Sequence, residues 1–163
     1  MPAIEQLSHL DRIRVFLPTL ISRALPEKQV YAICAEQPED GNWVNSDPNT
    51  RSLTRAELRF TCQDQILNGQ PYPPGPPWHM HLWGACTPTD CDWGEVGAER
   101  VTIGTRTFVK AIYNQGFAIR YVYADMSLYR AGQLWIWMWT NFTDPSRPDY
   151  ESQNWFIRPG SVG

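Results

Sequence analysis

The sequence of 163 residues is long enough for one domain with a hydrophobic core of its own. The chain has 14 Lys and Arg and 17 Asp and Glu, so its net charge is −3. This charge argues against broad electrostatic binding to nucleic acid or to an anionic membrane. Aromatic residues make up 13% of the chain and include eight tryptophans, more than a core of this size needs. We therefore expect some aromatic side chains to face a ligand or another subunit.

The N-terminus predicts neither export nor a membrane anchor. The opening MPAIEQLSHLDRIRV is charged and lacks the apolar run of a secretory signal. No stretch approaches the roughly 18 apolar residues of a membrane span. We therefore expect a soluble, cytoplasmic protein. In that compartment its four cysteines are more often reduced thiols than a disulfide framework.

Apolar residues at three-to-four spacing predict a helix over residues 2–25. Pro18 interrupts this pattern and Pro26 ends it, so we expect two short helices or one kinked helix. We assign residues 1–37 to an N-terminal helical segment that packs on, or links to, a β-barrel domain spanning residues 41–160. An oligomerisation arm or a lid is the alternative role for this segment.

From Gly41 onward, short runs of alternating apolar residues are separated by turn residues, which is typical of β-strands. About seven or eight strands with short connections favour a mainly-β fold, either an up-and-down antiparallel barrel or a sandwich, and we predict the barrel. Asn68-Gly69 predicts a hairpin turn, residues 70–77 an extended proline-rich loop, and residues 84–99 a turn and a linker. The predicted strands are Gly41–Asn45, Leu53–Cys62, Trp78–Trp83, Phe108–Tyr113, Phe117–Met126, Leu134–Phe142 and Gln153–Arg158.

The run Leu134–Phe142 separates two chemical faces. Trp135, Trp137 and Trp139 share one face, and the aliphatic side chains on the other are the natural core. The three indoles must then be covered by the N-terminal helix, by a ligand or by a second subunit in a homo-oligomer, because soluble monomers avoid large exposed apolar patches. The opposite assignment places the indoles in the lumen, where they would favour a flat ligand.

Two histidines and two cysteines lie close together within residues 78–94. His79 and His81 project to one face of a strand, which fits a partly solvated face, half of a metal site or an acid–base histidine. Cys86 and Cys91 have four residues between them, which fits a structural turn, a local disulfide, metal ligands or reactive thiols. Two histidines fall short of a full donor set and no nucleotide-binding glycine loop occurs, so we predict no metal and no cofactor.

Asp90 and Asp92 place two carboxylates beside Trp93. Aspartates in such segments commonly cap their own turn by accepting hydrogen bonds from backbone amides. The alternative puts Asp92 and Trp93 at a barrel mouth, where they would bond and stack a polar ring such as a sugar or a heterocycle.

The motif Gly41-Asn42-Trp43-Val44-Asn45 resembles the opening strand of avidin-type and lipocalin (calycin) barrels. The resemblance implies that Trp43 closes one end of the barrel and that Asn45 faces the lumen and a ligand. A longer pattern runs from this motif through Trp83-Gly84 and CTPTDCDWG to Phe142–Tyr150. It resembles bacterial domains with no established activity and implies a β-barrel module.

Three hypotheses for function follow from the aromatic excess and the missing catalytic signatures. The first is a barrel that binds a small molecule in an aromatic-rich pocket. The second is a barrel-type cyclase or isomerase that uses His81, Asp90 or Asp92 as acid or base. The third is a structural or oligomerisation domain. The residues expected to position a ligand are Trp43, Asn45, Asp47, His81, Trp83, Asp92 and Trp93.

Overall fold

The computed structural model describes residues 35–160. The predicted helix over residues 2–25 therefore lies outside the described residues. Within the described part of the chain, no helix is long and apolar enough to cross a lipid bilayer.

Residues 35–160 form ten β-strands, eight of which close into one antiparallel barrel. Around the barrel the strands run in the order β1-β10-β9-β8-β7-β6-β5-β2. Each strand thus pairs with the next barrel strand along the chain, with β3 and β4 passed over between β2 and β5, and β1 pairs with β10 to close the barrel. This confirms a mainly-β fold and a closed eight-stranded barrel, which is consistent with a calycin-like fold. The strands are β1 Gly41–Asn45, β2 Leu53–Phe60, β3 Gln65–Leu67, β4 Gln70–Tyr72, β5 Trp78–Gly84, β6 Cys91–Ile103, β7 Arg106–Asn114, β8 Ala118–Met126, β9 Leu134–Phe142 and β10 Tyr150–Ile157.

The linker predicted between the CTPTDC turn and Glu99 is wrong, because β6 begins at Cys91 and is the longest strand described, with 13 residues. Its hydrophobic signal is weak, since exposed residues such as Glu95 and Glu99 alternate with small inner ones such as Ala98. A strand with one solvated face needs few large apolar residues.

The Asn68-Gly69 turn is confirmed. It joins β3 to β4, with Leu67 opposite Gln70, and both turn residues have positive φ values of 53° and 77°, as a type I′ turn requires. The extended loop predicted over residues 70–77 is wrong for its first three residues, which form β4. Pro71 is tolerated there because β4 is an edge strand of a separate two-stranded sheet.

Alternate residues of each barrel strand point inward, and their side chains fill the lumen. On β9 the inner residues Leu134, Ile136 and Thr140 are fully buried, whereas the indoles between them point outward. The prediction that the aliphatic face of this strand forms the core is confirmed. An eight-stranded barrel has an interior just wide enough for side chains to fill, which explains the continuous core.

One end of the barrel is closed by Trp43, of which only 1% is exposed. Its indole Nε1 donates a hydrogen bond to the Glu39 carbonyl at 3.0 Å, and the Arg158 guanidinium lies 4.1 Å from the ring centroid. Arg158 also donates to the carbonyls of Pro38 and Asp40, both at 2.9 Å. A cation–π contact and two charged hydrogen bonds thus join the first and last barrel strands.

Two acid–arginine pairs lie at the same end. Glu39 accepts hydrogen bonds from Arg100, and Asp125 accepts one from Arg106 at 2.9 Å. Burial acts to raise the pKa of Glu39, but its bonds to Arg100 outweigh that effect and lower the pKa. Burial raises the pKa of Asp125 despite its bond to Arg106.

Replacing Glu39 by Gln is expected to lower the free energy of unfolding by about 3 kcal/mol, because the buried charge of Arg100 then loses the carboxylate to which it is bonded. The side chains of this pair are only 4% and 14% exposed. The matched control is Glu95→Gln, which breaks the solvated pair between Arg59 and Glu95 and should cost less than about 1 kcal/mol. Urea unfolding measures both.

The pH dependence provides a second check. Because the pKa of Glu39 is lowered, its stabilisation is complete above the unfolded-state value of about 4.3 and is lost as the pH falls through the folded-state value. The difference between wild type and Glu39→Gln should shrink over that acidic range. Equal losses in the two variants at neutral pH would contradict the account.

Candidate functional site

A cavity of about 640 Å³ opens at the end of the barrel opposite Arg158. It lies where β5 ends and where β6 and β10 begin, and the nearly buried Met138 of β9 contributes to its wall. The volume is that of a typical small-molecule pocket. Its wall includes Trp93, Gln115, Phe117, Arg120, Tyr150 and Ser152.

Trp93 is the central aromatic group of this cavity. Its indole packs against the core and meets Tyr113 edge to face, with ring centroids 5.8 Å apart. The Tyr113 hydroxyl lies 2.8 Å from the Met80 carbonyl and 2.9 Å from the Gly94 carbonyl, and burial raises the pKa of this phenol. Gly84 gives the indole its space, because a Cβ there would lie 2.8 Å from Trp93 Nε1.

Arg120 supplies the polar centre of the cavity. Its Nε donates to Gln115 Oε1 at 2.7 Å, and its Nη1 donates to Thr140 Oγ1 and to Tyr150 Oη, both at 3.2 Å. The guanidinium also lies 4.7 Å from the Trp93 ring centroid. Four neighbours from different parts of the barrel wall thus fix one cation beside the main indole.

A disulfide borders the cavity. Cys86 and Cys91 are bonded across the turn between β5 and β6, with their Cα atoms 5.4 Å apart. Of the alternatives open from the sequence, the structure has the local disulfide. Cys62 is disulfide-bonded as well. The expectation of reduced cysteines is therefore wrong for these three residues.

Two residues predicted to position a ligand line the cavity, namely Asp47 and Trp93. Asn45 points inward from β1 but donates hydrogen bonds to the Leu53 carbonyl and to Asn154 Oδ1, at 2.7 and 3.0 Å. Trp43 closes the opposite end. The structure brings Asp47 and Trp93 together at one site and gives Asn45 and Trp43 roles in the wall and in the closed end.

The other three predicted residues lie on the outer face of the barrel. The His81 and Trp83 rings stack with centroids 3.8 Å apart, and the Arg55 guanidinium lies 3.9 Å from the Trp83 ring. Asp92 Oδ1 is 2.6 Å from His81 Nε2. The Gly94 amide and then the His81 ring hold the pKa of Asp92 below its ordinary value. The inner face of β5 is instead apolar.

The outer face of β9 explains where the three indoles are placed. Tyr123 stacks on Trp137 with centroids 5.0 Å apart, and Phe108 lies 6.0 Å from Trp135. The Trp135 and Trp137 indoles donate hydrogen bonds to Gln153 Oε1 and Glu151 Oε2. Neighbouring side chains therefore cover much of this surface, while Trp139 stays 37% exposed. The homo-oligomer predicted through these indoles stays a prediction.

The metal hypothesis gains no donor set from the described residues. Among residues 35–160, no three His, Cys, Asp or Glu side chains are grouped to hold an ion.

Sequence reasoning missed Arg120, Gln115 and Ser152. A signal for Arg120 was present, because it is the one charged residue among the inner positions of β8, between Ala118 and Val122. A lone arginine on an otherwise apolar strand face indicates a specific polar partner. Gln115 and Ser152 carried no such signal.

Comparison of the chain with known protein families, with curated proteins and with solved structures finds no significant match.

Gly84→Ala is expected to displace the Trp93 indole and to lower the free energy of unfolding by about 1–3 kcal/mol, because the added methyl group overpacks the wall. Gly97→Ala is the matched control, since its Cβ would meet only the Pro76 ring, at 2.7 Å, far from Trp93. Near-ultraviolet circular dichroism reports the indole environment. The aromatic signal should change in the first variant and persist in the second, and the reverse pattern would contradict the packing described.

Proposed function

We propose that this protein is a small-molecule-binding barrel whose ligand enters the cavity at the open end and places a flat ring against Trp93. The observation that carries the proposal is the combination of a cavity of about 640 Å³ with an indole wall and one fixed cation. A few placed polar groups in a mainly apolar concave site are typical of ligand pockets.

The enzyme alternative has less support. The acids and bases it relies on are His81, Asp90 and Asp92, and none of them lines the cavity. Asp90 accepts a hydrogen bond from Thr54 Oγ1 at 2.8 Å, and His81 pairs with Asp92. A general acid or base must reach the reacting atoms, so these residues do not supply the lumen chemistry of a cyclase or isomerase.

The structural alternative relies on the outer indoles. Neighbouring side chains satisfy the Nε1 groups of Trp135 and Trp137 and pack on their rings. This covering of two of the three indoles weakens the argument for a second subunit on that face. We keep the ligand-binding barrel as the function that the geometry favours.

The disulfides also bear on where the protein works. Disulfides persist in oxidising compartments and are rare in the cytosol. The bond between Cys86 and Cys91 therefore favours an oxidising compartment over the predicted cytoplasmic location. Protein isolated from its own host without reductant and trapped with a thiol reagent is expected to show no label at these two cysteines. Labelling of both would contradict this assignment.

The ligand proposal is tested by titrating a panel of neutral and charged aromatic metabolites while recording tryptophan fluorescence. A binding ligand should quench emission with saturation. Trp93→Phe should remove most of the quenching and weaken binding about 2- to 10-fold, because a smaller ring stacks less well.

Trp139→Phe is the matched control, since it makes the same exchange at an exposed outer indole. It should leave both the affinity and the quenching unchanged. The proposal would be overturned if no compound of the panel changed the tryptophan fluorescence. It would also be overturned if quenching were lost in Trp139→Phe and kept in Trp93→Phe.

A further inference from the structure

Among residues 35–160, the guanidinium of Arg120 is held in place by neutral groups only. Gln115, Thr140 and Tyr150 accept from its Nε and Nη1 atoms. Its Nη2 has no acceptor among residues 35–160. Because the other nitrogens are fixed, the orientation of Nη2 is fixed as well, and two strong donors stand beside the Trp93 ring.

Other part-buried arginines of the barrel are paired differently. Arg100 is bonded to the Glu39 carboxylate and Arg106 to the Asp125 carboxylate. Within the described part of the chain no carboxylate pairs with Arg120. A part-buried charge without a counterion is costly, and a bound anion removes that cost.

A second feature of the cavity wall needs a partner. The Ser152 hydroxyl is buried and has no hydrogen-bond partner among the described residues. It belongs to the same cavity as Arg120. Buried hydroxyls are normally bonded, and a ligand oxygen that reached this group would supply the missing bond.

The lining of the cavity as a whole is positively charged, like Arg120 itself. Its charged lining residues within the described range are Asp47, Arg51 and Arg120, one acid against two arginines. Asp47 already accepts a hydrogen bond from the Asn49 amide at 2.9 Å. The wall therefore carries a net positive charge toward its contents.

The geometry points to a small aromatic anion as the ligand class, with its carboxylate on Arg120 and its ring against Trp93. This inference rests on the proposed ligand-binding function and names the chemistry that the site selects. Arginine presents a planar fork that matches a carboxylate, and the neighbouring indole matches a flat ring.

The test compares two probes of the same shape, indole-3-acetate and indole-3-acetamide, by isothermal titration calorimetry at pH 7. Wild-type protein should bind the anion about 10-fold or more tightly than the amide, as a charge-assisted hydrogen bond requires. This comparison uses the wild-type chain and does not depend on any variant folding.

Arg120→Gln should bring the ratio of the two affinities close to one. Arg130→Gln is the matched control, because it removes an exposed arginine that lies over Trp155 on the outside of the barrel. It should retain the preference of the wild type.

The outcomes separate the two proposals. Equal binding of anion and amide to the wild type would overturn the anionic ligand class and leave the aromatic site standing. A preference that persists in Arg120→Gln would overturn the role of this arginine. Binding of neither probe would overturn the inference, and flat titrations across the wider panel would overturn the proposed function itself.

Discussion

The closure of eight strands into one barrel is the constraint on which the other features depend. Closure fixes which side chains share the lumen, and at this strand number they nearly fill it. At one end Trp43 and Arg158 lock the first strand to the last. At the other end Gly84 makes room for the Trp93 indole, and this indole is part of the wall of a cavity. The site is thus the part of the lumen that the core does not occupy.

The arginines show how the same residue type serves stability at one end and recognition at the other. Arg100 and Arg106 are neutralised by carboxylates, so their charges are internal to the fold. Arg120 is oriented by neutral acceptors, so its charge remains available inside the cavity. A cation held in place before binding loses little conformational freedom when a ligand arrives.

The number of short alternating runs was enough to predict the fold class, the alternation of β9 its buried face, and Asn68-Gly69 the hairpin turn, because these follow from period-two geometry and from turn chemistry. The site was predicted only in part. His81 and Trp83 lie on one face of β5, and Trp78 lies on the other, more apolar face. The more apolar face points into the lumen because its burial releases more free energy. The partners of Arg120 come together through strand register, because Thr140 lies opposite Arg120 on β9 and Tyr150 lies opposite Thr140 on β10.

Binding in the cavity is tested most directly by following the eight indole Nε1–H signals of ¹⁵N-labelled protein during titration with indole-3-acetate. Ligand binding in the cavity should give a saturable shift at Trp93, with Trp135 and Trp137 unchanged, because those two indoles lie on the outer face with their Nε1 groups already bonded. A saturable shift at the outer indoles with Trp93 unchanged would contradict it and move the binding surface to the outside of the barrel.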